Sequence, residues 1–402
     1  MGLLAQLKGL NGQPEAMIDT IVQWSNINSY TFNVSGLDRV ATLIKQAFDP
    51  LDCEHETLPL NPIEQLTPQG NLAPQSLGSV LRFWKRPQAP NQVLLIGHMD
   101  TVFDEDSDFQ SCIRRSQNIL NGPGVADMKG GVCLLIEALK TFEALDQSGR
   151  LGWEVLINPD EEIGSLGSRD ILQERARSHQ VGLLFEPAID EEGTLAGQRK
   201  GSGRYSIVVH GHEAHAGRDF SMGRNAIVLL CELVAEIHAL NGRRKGATIN
   251  VGRISGGGAV NVVPALAMCH FDIRIEDPED EAWVQGSLDG LVSQFNERDG
   301  FTVELQGRFL KKPKIMTEEQ IKLYELVADV GRQFDQKIRW KPTGGVSDGN
   351  ILFAEGLINV DTLGVCGGGI HSDKEYLLVD KLIPRLKLVT GLLLRLSESL
   401  PT

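Results

Sequence analysis

Strand-like and helix-like runs alternate along the first half of this chain, stop alternating near residue 197, and resume past 313. SVLRFWKR (79–86), QVLLIGH (92–98), WEVLIN (153–158) and GLLFEP (182–187) are short apolar runs of strand length. MKGGVCLLIEALKTFEAL (128–145) and a run near 165–177 carry helical spacing, as do two earlier stretches, Met17, Ile18, Ile21, Val22 and Val40, Leu43, Ile44, Phe48. Such alternation calls for an α/β layer, a mostly parallel sheet with helices on both faces. Between the breaks the order changes to RYSIVVHGH (204–212), a helix over 225–240, TINVGRI, AMCHFDIRI, a helix near 280–297 and FTVELQG (301–307). Strand, helix, strand, strand, helix, strand is the order of a small ferredoxin-like α+β (split βαβ) unit. A helix over 317–334, LINVDTLGV (357–365) and a closing helix near 381–398 return to the first grammar. The expectation is a discontinuous α/β domain, 1–197 and 313–402, with a smaller lid or dimerisation domain, 198–312, inserted into it. A chain of 402 residues suits two such units.

Composition narrows the class. Hydrophobic residues make up 41% and charged residues 23%, as in ordinary globular proteins. A formal charge of −14 leaves no general basic surface for nucleic acid or an anionic membrane. No stretch approaches membrane-spanning length, and the N-terminal MGLLAQLKGLNGQPEAMIDTIVQW lacks the apolar core and cleavage site of a secretory signal. The cysteines (Cys53, Cys112, Cys133, Cys231, Cys269, Cys366) are scattered without a CxxC pair and read as buried thiols of a reducing compartment, so a cytoplasmic location is expected.

Polar residues stand where the apolar runs end. IGHMDTV (96–102) closes on His98 and Asp100; residues two apart on an extended chain point the same way, so Asp100 can fix the His98 tautomer. NGPGVADMKGG (121–131) is a glycine-rich loop ending in Asp127 at the mouth of a helix, where a carboxylate can serve as an N-cap or bridge two metal ions. The loop lacks the GxxxxGK[ST] spacing of a phosphate site, which removes support for nucleotide-dependent chemistry. NPDEEIGS (158–165) sets Glu161 beside Glu162 directly after WEVLI. Acidic residues favour the N-terminus of a following helix; adjacent carboxylates also point apart, so that one can hold a metal ion while the other takes a proton from water. Glu186 ends LLFEP, and His371 lies in GGGIHSDKEYL (367–377). In an open α/β sheet these positions gather along one edge. His98, Asp127, Glu162, Glu186 and His371 then form a donor set for two divalent ions, zinc first, with cobalt or manganese as alternatives.

In this order, and across nearly the whole chain, HMDTV, GPGVADMKGG, PDEEIGS, FEP, AHAG, NVVP and GGGIHSDKEY resemble the motifs of a di-zinc peptidase and deacylase family. That family holds glutamate carboxypeptidases, aminoacylases, acetylornithine deacetylase and succinyl-diaminopimelate desuccinylase. The resemblance implies that Asp127 bridges both metals, that His98 and Glu186 complete one site, and that Glu162 and His371 complete the other. Glu161 would be the general base and acid, and Asp100 and His215 join it as candidate catalytic residues. His215, in AHAG, would stabilise the oxyanion, often from a partner subunit. Asn261, in GGGAVNVVP (256–264), would contact substrate nearby, and Arg274, in FDIRI, would bind a substrate carboxylate. Spacing alone leaves plainer readings open: an exposed polar edge for His210, His212 and His215, a hairpin for the glycines before Asn261, and a strand ion pair with Asp272 or Glu276 for Arg274. GRFLKKP (307–313) offers a further cationic contact with no single residue fixed.

The activity implied is metal-dependent cleavage of an amide bond in a small peptide or N-acyl amino acid. Glu186, where aminopeptidase-type relatives tend to carry aspartate, favours a carboxypeptidase or deacylase. The alternatives are a di- or tripeptide aminopeptidase and a non-catalytic binding protein on the same fold; the complete ligand set and Glu161 speak against the latter. A homodimer through the inserted domain, and closure of that domain on substrate, complete the expectation.

Overall fold

The computed structural model describes Leu7, residues 14–146 and residues 148–401. Apart from Leu7, the part of the N-terminal signal reading that falls before residue 14 lies outside the described residues.

Five strands and a short sixth build the central sheet: β1 (Glu54–Pro59), β2 (Ser79–Lys85), β3 (Asn91–His98), β4 (Leu151–Asn158), β5 (Val181–Leu184) and the segment Asn359–Val360, in the spatial order β1, β2, β4, β3, β5, Asn359–Val360. The last four are mutually parallel, while β2 joins β4 and β1 joins β2 antiparallel. Both faces are buried, as parallel strands require. Val93, Leu95, Val155, Ile157 and Leu183 pack into one cluster with the helices Glu15–Ser25, Val34–Phe48, Lys129–Leu145, Glu318–Gln333 and Leu382–Glu398. The alternate residues Leu94, Ile96, Leu156 and Leu184 pack into another, closed by Arg169–Ala176 and Asp348–Ala354.

The sheet is mixed at one edge, where EHETLP becomes β1; this segment carries no apolar run that would mark it as a strand, and its residues are exposed or half-buried. The run expected over 357–365 narrows to Asn359–Val360, since Asp361 leaves the ladder for an ion pair with Arg199 and Thr362 takes a left-handed φ of 62°. Of the cysteines, Cys133, Cys269 and Cys366 are buried, whereas Cys53 and Cys112 are half-buried and Cys231 is exposed on the helix Ala226–His238, which corrects the reading of uniformly buried thiols.

A second sheet contains β6 (Gly201–His210), β7 (Thr248–Gly256), β8 (Leu266–Ile275) and β9 (Thr302–Lys311), ordered β7, β8, β6, β9 and antiparallel throughout. The helices Ala226–His238 and Asp280–Asn296 cover one face, burying Ile207, Val209, Leu229, Leu233, Phe271 and Leu288 in a separate cluster. The other face borders a cleft of about 960 Å³ whose far wall includes Ile63, Leu72, Ile163 and Leu166. Where the chain enters and leaves this unit, Arg199 and Lys314 exchange two backbone hydrogen bonds of 3.0 Å each, so the two crossings run side by side.

Candidate metal centre

Register determines which side chains meet. His98 lies opposite Asn158 and Ile96 opposite Leu184, so β3, β4 and β5 end along one edge and deliver His98, the pair Glu161–Glu162, and Glu186 to the same place. Asp127 arrives from the loop before the helix Lys129–Leu145, which is capped without any side-chain hydrogen bond. The N-cap reading of Asp127 therefore does not hold. Its carboxylate points into the site instead, with Oδ1 3.2 Å from His98 Nε2 and Oδ2 3.3 Å from His371 Nε2. His371 Nε2 also lies 3.3 Å from Glu162 Oε2, and His98 Nε2 3.9 Å from Glu186 Oε1. His371 holds a left-handed φ of 61°, a backbone conformation that a non-glycine residue keeps only when its surroundings impose it.

The acidic triplet divides its work. Asp160 accepts from Gly167 N at 2.7 Å and from Ser168 N at 3.2 Å, serving the helix that begins at Arg169, while Glu161 and Glu162 form a short 3₁₀ turn facing the metal ligands. Asp100 ties these pieces together. Its Oδ1 is 3.3 Å from His98 Nδ1, and its two oxygens accept the backbone N–H groups of Glu161 and Glu162, each at 3.2 Å. Thr31 Oγ1 donates to it at 2.7 Å.

The electrostatics are those of a site short of positive charge. Burial and the Asp127 charge push the Glu162 carboxyl up to about 8, and the same two causes push Glu186 well above the usual carboxylate range. Asp127 is held far below that range, burial opposing, by its bonds with His371 and His98. His371 is pushed up to about 11 by Asp127 and Glu162; His98 rises too, as its bonds with Asp100 and Asp127 outweigh burial. Three converging carboxylates thus hold protons on themselves or on the imidazoles, and divalent cations would replace those protons. His98, Asp127 and Glu162 offer ligand atoms within 4.8 Å of one another, as do His98, Glu161 and Glu186, so the donor set fits metal ions.

A family model for "Peptidase family M20/M25/M40" matches residues 94–395, which contain every residue of this cluster. The chain belongs to that family. It is an M20-type enzyme that hydrolyses amide bonds with the help of metal. It is 29% identical over 312 residues to carboxypeptidase G2 of Pseudomonas sp. (strain RS-16), an alignment covering 76% of this chain and 74% of that protein. It is 26% identical over 319 residues to succinyl-diaminopimelate desuccinylase of Buchnera aphidicola, covering 75% and 82% of the two chains. Its fold matches a tripeptidase structure from Staphylococcus aureus at a TM-score of 0.74 with 20% identity, covering 96% and 99% of the two chains.

The remaining predicted residues lie elsewhere. His215 sits exposed on a two-residue strand whose partner strand starts at Val262, and Ala216 N donates to Asn261 O at 3.0 Å, so His215 and Asn261 are neighbours. Among the described residues no hydrogen bond or ion pair links either to the metal-ligand cluster. Arg274 makes the strand ion pair foreseen for it, Nε to Asp272 Oδ1 at 2.7 Å, and its buried Nη1 has no hydrogen-bond partner among the described residues.

Three contacts escaped sequence reasoning. Glu375, inside the quoted GGGIHSDKEY, accepts from Ala126 N at 2.9 Å and Asp127 N at 3.0 Å. Lys311, in the unplaced GRFLKKP, lies 2.5 Å from Glu161 Oε1, and Asp348, in the glycine-rich TGGVSDGN, lies 3.4 Å from Lys311 Nζ. Motif position gave a signal for Glu375; for Lys311 the cationic run GRFLKKP gave one, without the residue or its partner Glu161.

Proposed function

We propose that this M20-family chain is a carboxypeptidase or N-acyl-amino-acid deacylase carrying two divalent metal ions, zinc in the first instance. The observation that carries the reading is Asp127, with one oxygen directed at His98 and the other at His371, Glu186 beside the first imidazole and Glu162 beside the second. His98, Asp127 and Glu186 would hold one ion, and Asp127, Glu162 and His371 the other. When bound, the ions polarise the scissile carbonyl and make water easier to deprotonate.

The protein supplies the proton transfers. Glu161 takes the proton of the attacking water and returns it to the leaving amine. Asp100 keeps the His98 ring oriented and holds the Glu161–Glu162 backbone in place. His215 Nδ1 accepts from the backbone of Gly217 and Arg218 at 3.1 and 3.2 Å, so its proton sits on Nε2, where it can be donated to an oxyanion. Asn261 adjoins it, and the planar guanidinium of Arg274 suits a substrate carboxylate. Exposed Phe220, Met222, Val260 and Val262 near His215 support a homodimer through the 198–312 unit, with His215 serving the partner's site. The side-by-side crossings at Arg199 and Lys314 support the division into a 1–197 plus 313–402 catalytic domain and an inserted lid. Free cysteines support a cytoplasmic location, and among the described residues no helix is long and apolar enough to cross a membrane.

The test is amino-acid release by the zinc-loaded protein from a panel of N-acyl amino acids and dipeptides, with Glu161→Ala alongside. Release of the C-terminal residue, lost in a variant that still binds its metals, is the expected result. Cleavage confined to substrates with a free N-terminal amine would make the protein an aminopeptidase, and an active Glu161→Ala would remove Glu161 from its role.

A further inference from the structure

Glu161 is close enough to the donor cluster to become a ligand. Its carboxylate, the His98 imidazole and Glu186 offer atoms within 4.8 Å of one another. A carboxylate so placed coordinates a cation unless something holds it back, while a general base needs a lone pair left free for water. Adjacent in sequence, Glu161 and Glu162 differ in what faces them: Glu162 meets His371, and Glu161 meets an ammonium.

That ammonium belongs to Lys311, the last residue of β9 and only 2% exposed. Its Nζ lies 2.5 Å from Glu161 Oε1 and 3.4 Å from Asp348 Oδ1. Asp348 is itself fixed, accepting from Asn158 Nδ2 at 2.8 Å and from the Ser165 hydroxyl. The lysine backbone is pinned as well, paired in register with Ser202 and preceded by Leu310, whose carbonyl accepts from Arg169. The cation is therefore anchored on two sides and engages Glu161 Oε1, an oxygen that can turn to the metals only by giving up the ion pair.

We propose that Lys311 is a positioning residue that keeps Glu161 off the metal ions and so reserves it as the base. The inference rests on the reading of Glu161 as base given above. It assigns Lys311 a job opposite in sign to that of a structural prop, whose removal loosens a metal site.

The experiment compares zinc-loaded wild type, Lys311→Met, Lys311→Arg, Glu161→Gln and the double variant Lys311→Met/Glu161→Gln. Zinc loss to a chelator is followed alongside kcat and KM, with circular dichroism as the check on folding. In Lys311→Met, zinc loss is slower than in wild type, and kcat falls about 10- to 100-fold with KM little changed, the size of activity loss seen for outer-shell partners of metal sites. Lys311→Arg, which keeps a cation, stays near wild type in zinc retention. Glu161→Gln alone loses zinc at the wild-type rate, and the double variant returns to that rate because the added ligand is gone. A folded Lys311→Met that loses zinc as fast as wild type, or faster, overturns the proposal; should methionine not fold, Lys311→Gln answers the same question. Failure of the base assignment shows separately, as turnover retained by Glu161→Gln whatever the zinc arm gives.

Discussion

Asp127 is held from both ends: its carboxylate faces two imidazoles, and its backbone N–H, with that of Ala126, is tied down by Glu375. Burial and the Asp127 charge push the Glu375 carboxyl up to about 7, a cost accepted because its oxygen fixes two loop amides. Glu375→Ala is expected to release the loop and weaken metal binding about 10- to 100-fold, read by chelator competition, while secondary structure is unchanged. A variant with wild-type affinity would reduce Glu375 to a local loop tie. At this scale the sequence was informative where a polar residue ended an apolar run, as at His98 and Glu186. It was silent where a side chain's partner lies far along the chain, as for Lys311 and Glu161, because a buried charge pair between residues 150 positions apart leaves no local spacing.

Among the elements, the helix Lys129–Leu145 approaches the sheet edge more closely than any side chain allows. A Cβ on Gly131 would come within 2.1 Å of the Phe185 carbonyl oxygen, one residue before Glu186, and one on Gly130 within 2.2 Å of the Val125 carbonyl oxygen. Gly131→Ala should therefore push the helix from the strand end that carries Glu186, costing about 1–3 kcal/mol of stability as overpacking does. Activity should fall further than stability alone explains; thermal unfolding together with turnover below the transition checks both, and an unchanged variant would show that the edge tolerates the shift. The parallel core was legible because its strands are apolar on both faces. β1 and the antiparallel edge were not, since EHETLP is polar enough to pass for a loop until it pairs with β2.

The same element scale holds a buried ion pair that ties the crossing at Arg199 to the sheet. Arg199 Nε and Nη2 donate to Asp361 at 2.6 and 2.9 Å, with both side chains buried. Burial raises the Asp361 carboxyl, but Arg199 and then Lys314 hold it below its ordinary value. A carboxylate whose folded pKa is depressed contributes stability that is present above its unfolded value of about 3.9 and is lost as pH falls through the folded pKa. Asp361→Asn should cost about 3–5 kcal/mol at pH 7 by leaving the guanidinium unpaired, and the gap to wild type should narrow on acidification below about pH 4. Urea denaturation across that range measures it; a gap independent of pH would mean that the pair carries no linked charge.

The whole molecule poses the question of which site His215 serves, because it stands exposed on its two-residue strand with, among the described residues, no bond to the metal ligands. The motif order proposes a role for it, but intrachain spacing does not encode whether the site it serves lies in its own chain or in a second copy. If the imidazole acts across a two-fold interface, each site takes Glu161 from one subunit and His215 from the other. Glu161→Ala and His215→Ala homodimers are then both inactive, yet mixing them with subunit exchange rebuilds one competent site per heterodimer. Random re-pairing gives about a quarter of wild-type activity for a two-fold dimer, measured with the substrate identified by the release panel and with subunit exchange verified by mass. A mixture no more active than its components, once exchange is verified, would place His215 in the site of its own chain and make lid closure within one subunit the route by which it reaches the oxyanion.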